Sequence, residues 1–414
     1  MAKLQFSPYR DILRNRNFLL FWSGYSLSSI GDSLTQVALT WFVFEETKSP
    51  QALGILTIAY TAPILIGGFI AGPLLDRFSP RRVMIVDNLI RGISFAALAI
   101  LQALNLLEIW HVYIFAAIYG SLMMISLAGG PTLIPSIVSK EQLETANAME
   151  TLSFTLSNVI GPPLAGLLIV WIGTANIIVL DALSYFLFAL MLLGVSVSGP
   201  RYSSVEKGSG SFRLISAVRL MIDNKILLST TLMFMAFNVG LGALTVFLPL
   251  VSDRIAPGSS EAFGALLGAL ALGEIISAWL AGSLSMRMGL GLRIALAQLL
   301  SGLSLALLLM ETSSWAVTSG LFLLGFFSAP LTIWAQTLRM QIIPVEMRGR
   351  TFALLRTLMQ GATPLGGALA GFLLPVIGMQ MMIGLSSLVI GAPGLAGMRA
   401  RELRQAGTIV KPAA

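Results

Sequence analysis

Twelve stretches of about twenty residues, each apolar along its whole length, commit this chain to folding in a lipid bilayer. They lie at about 17–43, 52–75, 83–104, 112–138, 145–170, 176–197, 226–251, 261–285, 292–310, 315–338, 350–377 and 380–398. A hydrocarbon core about 30 Å thick is crossed by about 20 helical residues, so each stretch is long enough for one span. No water reaches that core to satisfy backbone groups, which leaves helices or closed barrels. Barrel strands would alternate apolar and polar residues over about ten positions. These stretches instead are continuously apolar, and of all 414 residues only 11% are charged. The fold class that follows is an all-α membrane protein of twelve transmembrane helices.

The spans repeat. At an offset of 210, Ala52, Gly54, Leu56, Ala59, Ile66, Ala71, Gly72, Leu74 and Arg77 are matched by Ala262, Gly264, Leu266, Ala269, Ile276, Ala281, Gly282, Leu284 and Arg287. These are nine identities in residues 51–77, where apolar composition alone gives roughly two to three. At an offset of 205 a second series pairs Gly120 with Gly325, Thr132 with Thr337, Glu141 with Glu346, Gly161 with Gly366, Gly166 with Gly371 and Gly173 with Gly378. The chain therefore reads as two parallel six-helix bundles related by a pseudo-two-fold axis along the membrane normal. The expected division is 1–198 for the first bundle, 199–224 for a cytoplasmic linker, 225–398 for the second bundle and 399–414 for a cytoplasmic tail.

Cations set the orientation, because Lys and Arg collect on cytoplasmic loops. Placing both termini in the cytoplasm leaves only Lys48 and Arg254 outside, so the net charge of +7 reads as topology and not as affinity for nucleic acid. Trp41, Trp110, Trp171 and Trp315 then fall at outer ends of spans, where amphipathic rings prefer to sit. The start has no short apolar region followed by a cleavage site, so no removable signal peptide is expected. With no Cys and a single His, no metal or disulfide chemistry is expected, and without a Gly-Lys-Ser/Thr loop no nucleotide-driven step; the chain does not read as an enzyme, and no cofactor is expected.

The turn between spans 2 and 3 reads Gly72-Pro-Leu-Leu-Asp76-Arg77-Phe-Ser-Pro-Arg81-Arg82. Together with the repeat, it resembles the signature of the major facilitator superfamily, and within it the branch of macrolide and siderophore efflux proteins. Ser79 and Pro80 replace the signature's second Gly and middle Arg. The resemblance implies a cytoplasmic gate at Gly72, Asp76, Arg77, Arg81 and Arg82, with Asp76 releasing as the protein turns inward; Arg91 is grouped with it. The second copy has Met286 in place of the acid, which implies a one-sided lock. Span 5 carries Ser157-Asn-Val-Ile-Gly161-Pro162-Pro163-Leu-Ala165-Gly166, which resembles the antiporter motif of proton-exchanging exporters. Small residues there also permit plain helix packing.

Charge inside the spans carries the chemistry. An acid at mid-span costs about 2.5–3.5 kcal/mol on insertion scales and so faces a cavity or a partner. Asp32 in span 1, with Gln36 on the same face, and Glu274 in span 8 are the expected proton or cation groups. Asn238, Arg356 and Gln360 are candidates for the substrate cavity or for bonds between helices. Asp181 is expected to border water at the outer end of span 6, and Asp87, Arg91 and Glu150 to lie toward the cytoplasmic side. The expected function is proton-coupled export of a small lipophilic or amphiphilic compound by alternating access, from a monomer in the inner membrane with lipids and protons as its other partners. Two alternatives stand beside it: a lysophospholipid flippase, since related members carry a similar Gly-Asp at Gly31-Asp32, and a non-transporting receptor on the same scaffold.

Overall fold

The computed structural model describes residues 7–197, 210–283, 288–310, 312–344 and 347–406. Among them no strand occurs, and the helices are α1 (Ser7–Leu13), α2 (Arg16–Thr47), α3 (Pro50–Arg77), α4 (Pro80–Ala103), α5 (Ile109–Leu133), α6 (Leu143–Leu193), α7 (Gly210–Asp223), α8 (Lys225–Ile255), α9 (Ser260–Ser283), α10 (Leu290–Ala306), α11 (Ser314–Ile342), α12 (Arg348–Ile377), α13 (Met379–Arg399) and α14 (Arg401–Gln405). Their ends follow local chemistry. Asn15 caps α2 by accepting the Asn17 and Phe18 amides at 3.0 and 3.2 Å, and Asn224 caps α8 by accepting Leu227 N–H at 2.9 Å. Pro80 opens α4, where its missing N–H costs nothing. Nine helical segments among the described residues are long and apolar enough to cross a membrane, α6 being counted once although it holds two spans; α2 and α3 are of spanning length as well. The helices are thus consistent with all twelve expected spans.

The two spans expected at 145–170 and 176–197 are the two helical arms of α6, which meet at Gly173 with no loop between them. That residue has φ 79° and ψ 161°, a conformation in which only glycine is comfortable. Gly161 of the first arm lies against Ser33 of α2, and Asp181 of the second arm lies against Gly31. Contacts two residues apart on one helix require the arms to double back on each other at Gly173. Its partner in the repeat, Gly378, has φ 80° and ψ 165° and joins α12 to α13 in the same way.

By packing, the chain divides into two units, one of residues 1–46 and 59–205, the other of residues 47–58 and 206–414. The start of α3, residues 47–58, thus groups with the second unit rather than with the expected 1–198. There Gly54 meets Gly371 of α12 so closely that an added Cβ would stand 2.8 Å from its Cα, and Lys48 pairs with Asp253 at 3.3 Å. Of the expected linker, 199–209 lie outside the described residues, and 210–223 form α7. Its Leu220 and Met221 pack on Leu227, Ile343 and Leu355 of the second unit.

Each unit repeats the plan of the other. The helix pairs α3/α9 and α4/α10 begin 210 residues apart, and α5/α11 begin 205 apart. Equivalent glycines mark equivalent crossings: a Cβ on Gly120 would lie 2.3 Å from the Tyr60 carbonyl oxygen, and one on Gly325 would lie 2.0 Å from that of Leu270. Likewise Gly161 abuts Ser33 while Gly366 abuts Val239, which fixes an offset of 206 for α2 and α8. Small residues at these points bring backbones together where lipid offers no hydrophobic drive between helices. Of the four tryptophans expected at outer ends, Trp110, Trp171 and Trp315 are exposed, but Trp41 is buried against Phe44.

Candidate coupling site in the first unit

The charged cluster of the first unit is built from five helices. Asp87 and Arg91 are four residues apart on α4 and so share one face; the Arg91 Nε lies 3.3 Å from Asp87 Oδ1, and the two side chains are 1% and 0% exposed. The Arg91 Nη1 also lies 3.9 Å from Asp32 Oδ2 of α2, whose side chain is 24% exposed. Ser126 of α5 donates to Asp87 Oδ2 at 3.0 Å, and the Tyr185 hydroxyl of α6 donates to Asp32 Oδ1. The guanidinium of Arg91 is held over two rings, 4.8 Å from the centre of Tyr119 and 5.7 Å from that of Tyr185. Tyr60 of α3 meets Tyr119 with ring centres 4.6 Å apart, tilted by 34°, and closes the cluster. Asp32 is the acid of this cluster with the greatest access to solvent, and Asp87 is a sequestered counter-ion.

Glycine makes the cluster possible. A Cβ on Gly31 would stand 2.2 Å from Asp181 Oδ1, so the residue before Asp32 must lack a side chain for Asp181 to approach α2. Gly161 of the antiporter-like motif does the same on the other side of the helix, where its Cβ would meet Ser33 Cβ at 2.3 Å. That motif therefore seats span 5 one residue away from Asp32. Pro162 is half-buried and Gly166 buried in the same arm.

The repeat offsets give the counterparts of these residues in the second unit. Asp32 corresponds to Asn238, Asp87 to Ala297, Arg91 to Ser301, Asp181 to Ser386, and Tyr60, Tyr119 and Tyr185 to Leu270, Leu324 and Ile390. Each charge and each ring of the cluster is replaced by a neutral, smaller or aliphatic residue while the helix crossings persist. The cluster is an addition to the scaffold, not a requirement of it.

The other expected residues are dispersed. Asn238 donates to the Met359 carbonyl at 3.0 Å, joining α8 to α12, and is half-buried. Gln36, Arg356 and Gln360 are exposed. Glu274 faces α11, where the Ser328 hydroxyl lies 3.4 Å from its Oε1, and no ion pair to it occurs among the described residues. In the expected gate, Gly72 and Asp76 lie on the last turns of α3, with the side chain of Asp76 outside what is described, and Met286 and Arg287 in the second copy lie outside the described residues. Arg81 donates to the carbonyls of Leu192 and Leu193 at 2.7 and 2.6 Å, closing the C-terminal end of α6 with a cation. Arg77 lies over Phe78, Arg82 is exposed, and Arg91, grouped with the gate from sequence, sits instead with Asp32. Asp181, expected to border water, is 1% exposed. The three tyrosines were not singled out from sequence. Their signal was present only as positions one helical face away from Arg91 and Asp32 on neighbouring spans.

Residues 5–408 match the family described as transmembrane secretion effectors. The chain belongs to that family, a branch of the major facilitator superfamily. It is 24% identical over 391 residues to the multidrug efflux pump Tap of Mycolicibacterium fortuitum, covering 90% of this chain and 93% of the relative. It is 28% identical over 354 residues to the enterobactin exporter EntS of Shigella boydii, covering 84% and 82% of the two chains. Among solved structures, the nucleoside transporter NupG superposes with a TM-score of 0.74 at 14% identity over 92% of this chain and 98% of that one, which shows the fold. The chain is accordingly a multi-pass membrane transporter and not an enzyme.

Proposed function

We propose that this major facilitator protein exports a small lipophilic or amphiphilic compound in exchange for protons, by alternating access. The observation that carries the reading is the Asp32–Arg91–Asp87 cluster, present in the first unit and replaced by neutral residues at every equivalent position of the second. A buried ion pair costs desolvation energy that an apolar substitute avoids, so a scaffold that folds without one retains it for work. Asp32, partly exposed, takes a proton from one side; Arg91 then rests on Asp87 alone, and the lost contact to Asp32 loosens α2 from α4. Release of the proton on the other side restores it. Glu274, with a hydroxyl beside it and no ion pair among the described residues, serves as a second proton or cation group. The efflux and export roles of Tap and EntS support the outward direction. The protein acts as a monomer in the inner membrane among lipids, with both termini cytoplasmic and the residues around Arg77 and Arg82 forming part of the inner gate.

Gly31 is explained by the approach of Asp181, so the Gly31-Asp32 pair gives no separate support to a lipid flippase. The test is reconstitution into liposomes under an imposed pH gradient, with ethidium, a macrolide, a catecholate siderophore and a lysolipid as probes and internal pH recorded. Uptake of a drug or siderophore accompanied by proton movement is expected, and Asp32→Asn is expected to abolish it. Transport of any probe without proton movement would sink the exchange reading, and transport of the lysolipid alone would favour the flippase.

A further inference from the structure

The buried carboxyl of Asp181 has no counter-charge of its own. The Ser184 hydroxyl donates to the Asp181 main-chain carbonyl at 2.8 Å and lies 3.2 Å from Oδ1, while Oδ2 is buried, faces Thr35 and meets no cation among the described residues. Facing it are Asp32 and Thr35 of α2, Arg91 of α4, and Ser184 and Tyr185 of its own arm, with Asp87 of α4, Tyr60 of α3 and Tyr119 of α5 completing the cluster. The single guanidinium among these groups is already shared, at 3.3 Å with Asp87 and at 3.9 Å with Asp32.

Three carboxyl groups around one cation set the charge count. Arg91 and Asp87 cancel within α4, so ionised Asp32 and Asp181 would leave two negative charges, one of them on a residue only 1% exposed. Burying an uncompensated carboxylate is far costlier than burying the neutral acid. Position argues the same way. Ser386 stands where Asp181 stands, so this crossing folds without an acid, and Gly31 is kept bare on α2 so that the acid can approach.

We propose that Asp181 is a second proton-binding carboxyl, loaded and unloaded together with Asp32, so that the first unit carries two protons per cycle. This rests on the proton-exchange reading above and extends it. In the loaded state both groups are neutral acids and the cluster is neutral, with Arg91 balanced by Asp87. On unloading, one O–H bond breaks at each carboxyl, two protons pass to water, and the two negative charges are left to Arg91 and to water admitted around them.

Infrared spectra of the unliganded protein in liposomes, titrated from acid to alkaline pH, read the C=O stretch of protonated carboxyl groups directly. At pH 7, where ordinary exposed carboxyl groups are ionised, the parent is expected to retain a band of at least two protonated acids out of its 19 acidic residues, and Asp181→Asn and Asp32→Asn are each expected to remove one carboxyl's share of that band. An unchanged band in Asp181→Asn overturns the proposal, as does a parent band smaller than two groups whatever the variants show. Should Asp181→Asn fail to fold, Asp181→Ser, which reproduces the residue of the second unit, is read in the same way. These spectra need no substrate. Proton-free transport in the liposome assay therefore defeats the proton-exchange reading, whereas an unchanged Asp181→Asn band defeats this extension alone.

Discussion

Neutralising Arg91 alone should cost more stability than neutralising Arg91 and Asp87 together. Arg91→Met leaves Asp87 with a fully buried carboxylate and only the Ser126 hydroxyl, 3.0 Å away, to meet its charge. Removing one partner of a buried pair costs about 3–5 kcal/mol, and little solvent screening offsets this because the side chains are 1% and 0% exposed. Asp87→Asn is milder, since it keeps the shape of the side chain and Arg91 keeps Asp32 at 3.9 Å and the faces of Tyr119 and Tyr185. The double variant removes both buried charges at nearly constant volume, a change that is often neutral for stability. Its loss should be smaller than that of Arg91→Met alone, with a coupling energy of about 2–3 kcal/mol. Reversible unfolding of the four proteins in mixed micelles of detergent and sodium dodecyl sulfate measures this cycle, and liposome transport is followed in parallel. Stability should return in the double variant while transport stays absent. A coupling below about 0.5 kcal/mol would refute the argument, because Arg91 would then not be what compensates Asp87.

Alanine at Gly173 or Gly378 should destabilise by about 1–3 kcal/mol each, from backbone strain alone, since nothing lies within 4 Å of either added Cβ. Near-equal shifts in melting temperature would check that the two turns are the same device. Arg81→Gln should lose about 1–3 kcal/mol through its two bonds to Leu192 and Leu193; a transport defect at full stability would instead place it in the gate. Gly31→Ala should damage transport with a smaller effect on expression, because the methyl group displaces the Asp181 carboxyl. Glu274→Gln should leave the Asp32 cluster intact and reduce transport, read as proton flux in liposomes at matched protein content.

Membrane spans are legible in sequence because the bilayer demands length and continuous apolarity, and the repeat is legible because helix crossings demand small residues at fixed points. Asp32 stood out for a related reason: charge within an apolar run is rare. Its partners were harder to read. The spacing of Asp87 and Arg91 showed that they share a face, but not that the face meets α2, which depends on Gly31 and Gly161 setting the crossings. Asp181 looked peripheral because it lies near a span end. The fold-back at Gly173 brings it down beside Gly31, and distance from a span end along the chain does not measure depth once the chain reverses within one residue. The tyrosines carry no sequence signal of their own, since an aromatic residue in a span usually packs against lipid or core.

That reversal also bears on how the chain enters the bilayer during synthesis. A single glycine joins the two arms of α6, and another joins α12 to α13, so with both termini cytoplasmic, as proposed, neither pair has a loop to be carried across the membrane between its first and second helix. Each pair is suited to insert as one hairpin, with the sidedness of its second helix dictated by the first. Adding charged residues at Gly173 or Gly378 would give the translocation machinery a segment to transport where the native chain presents none.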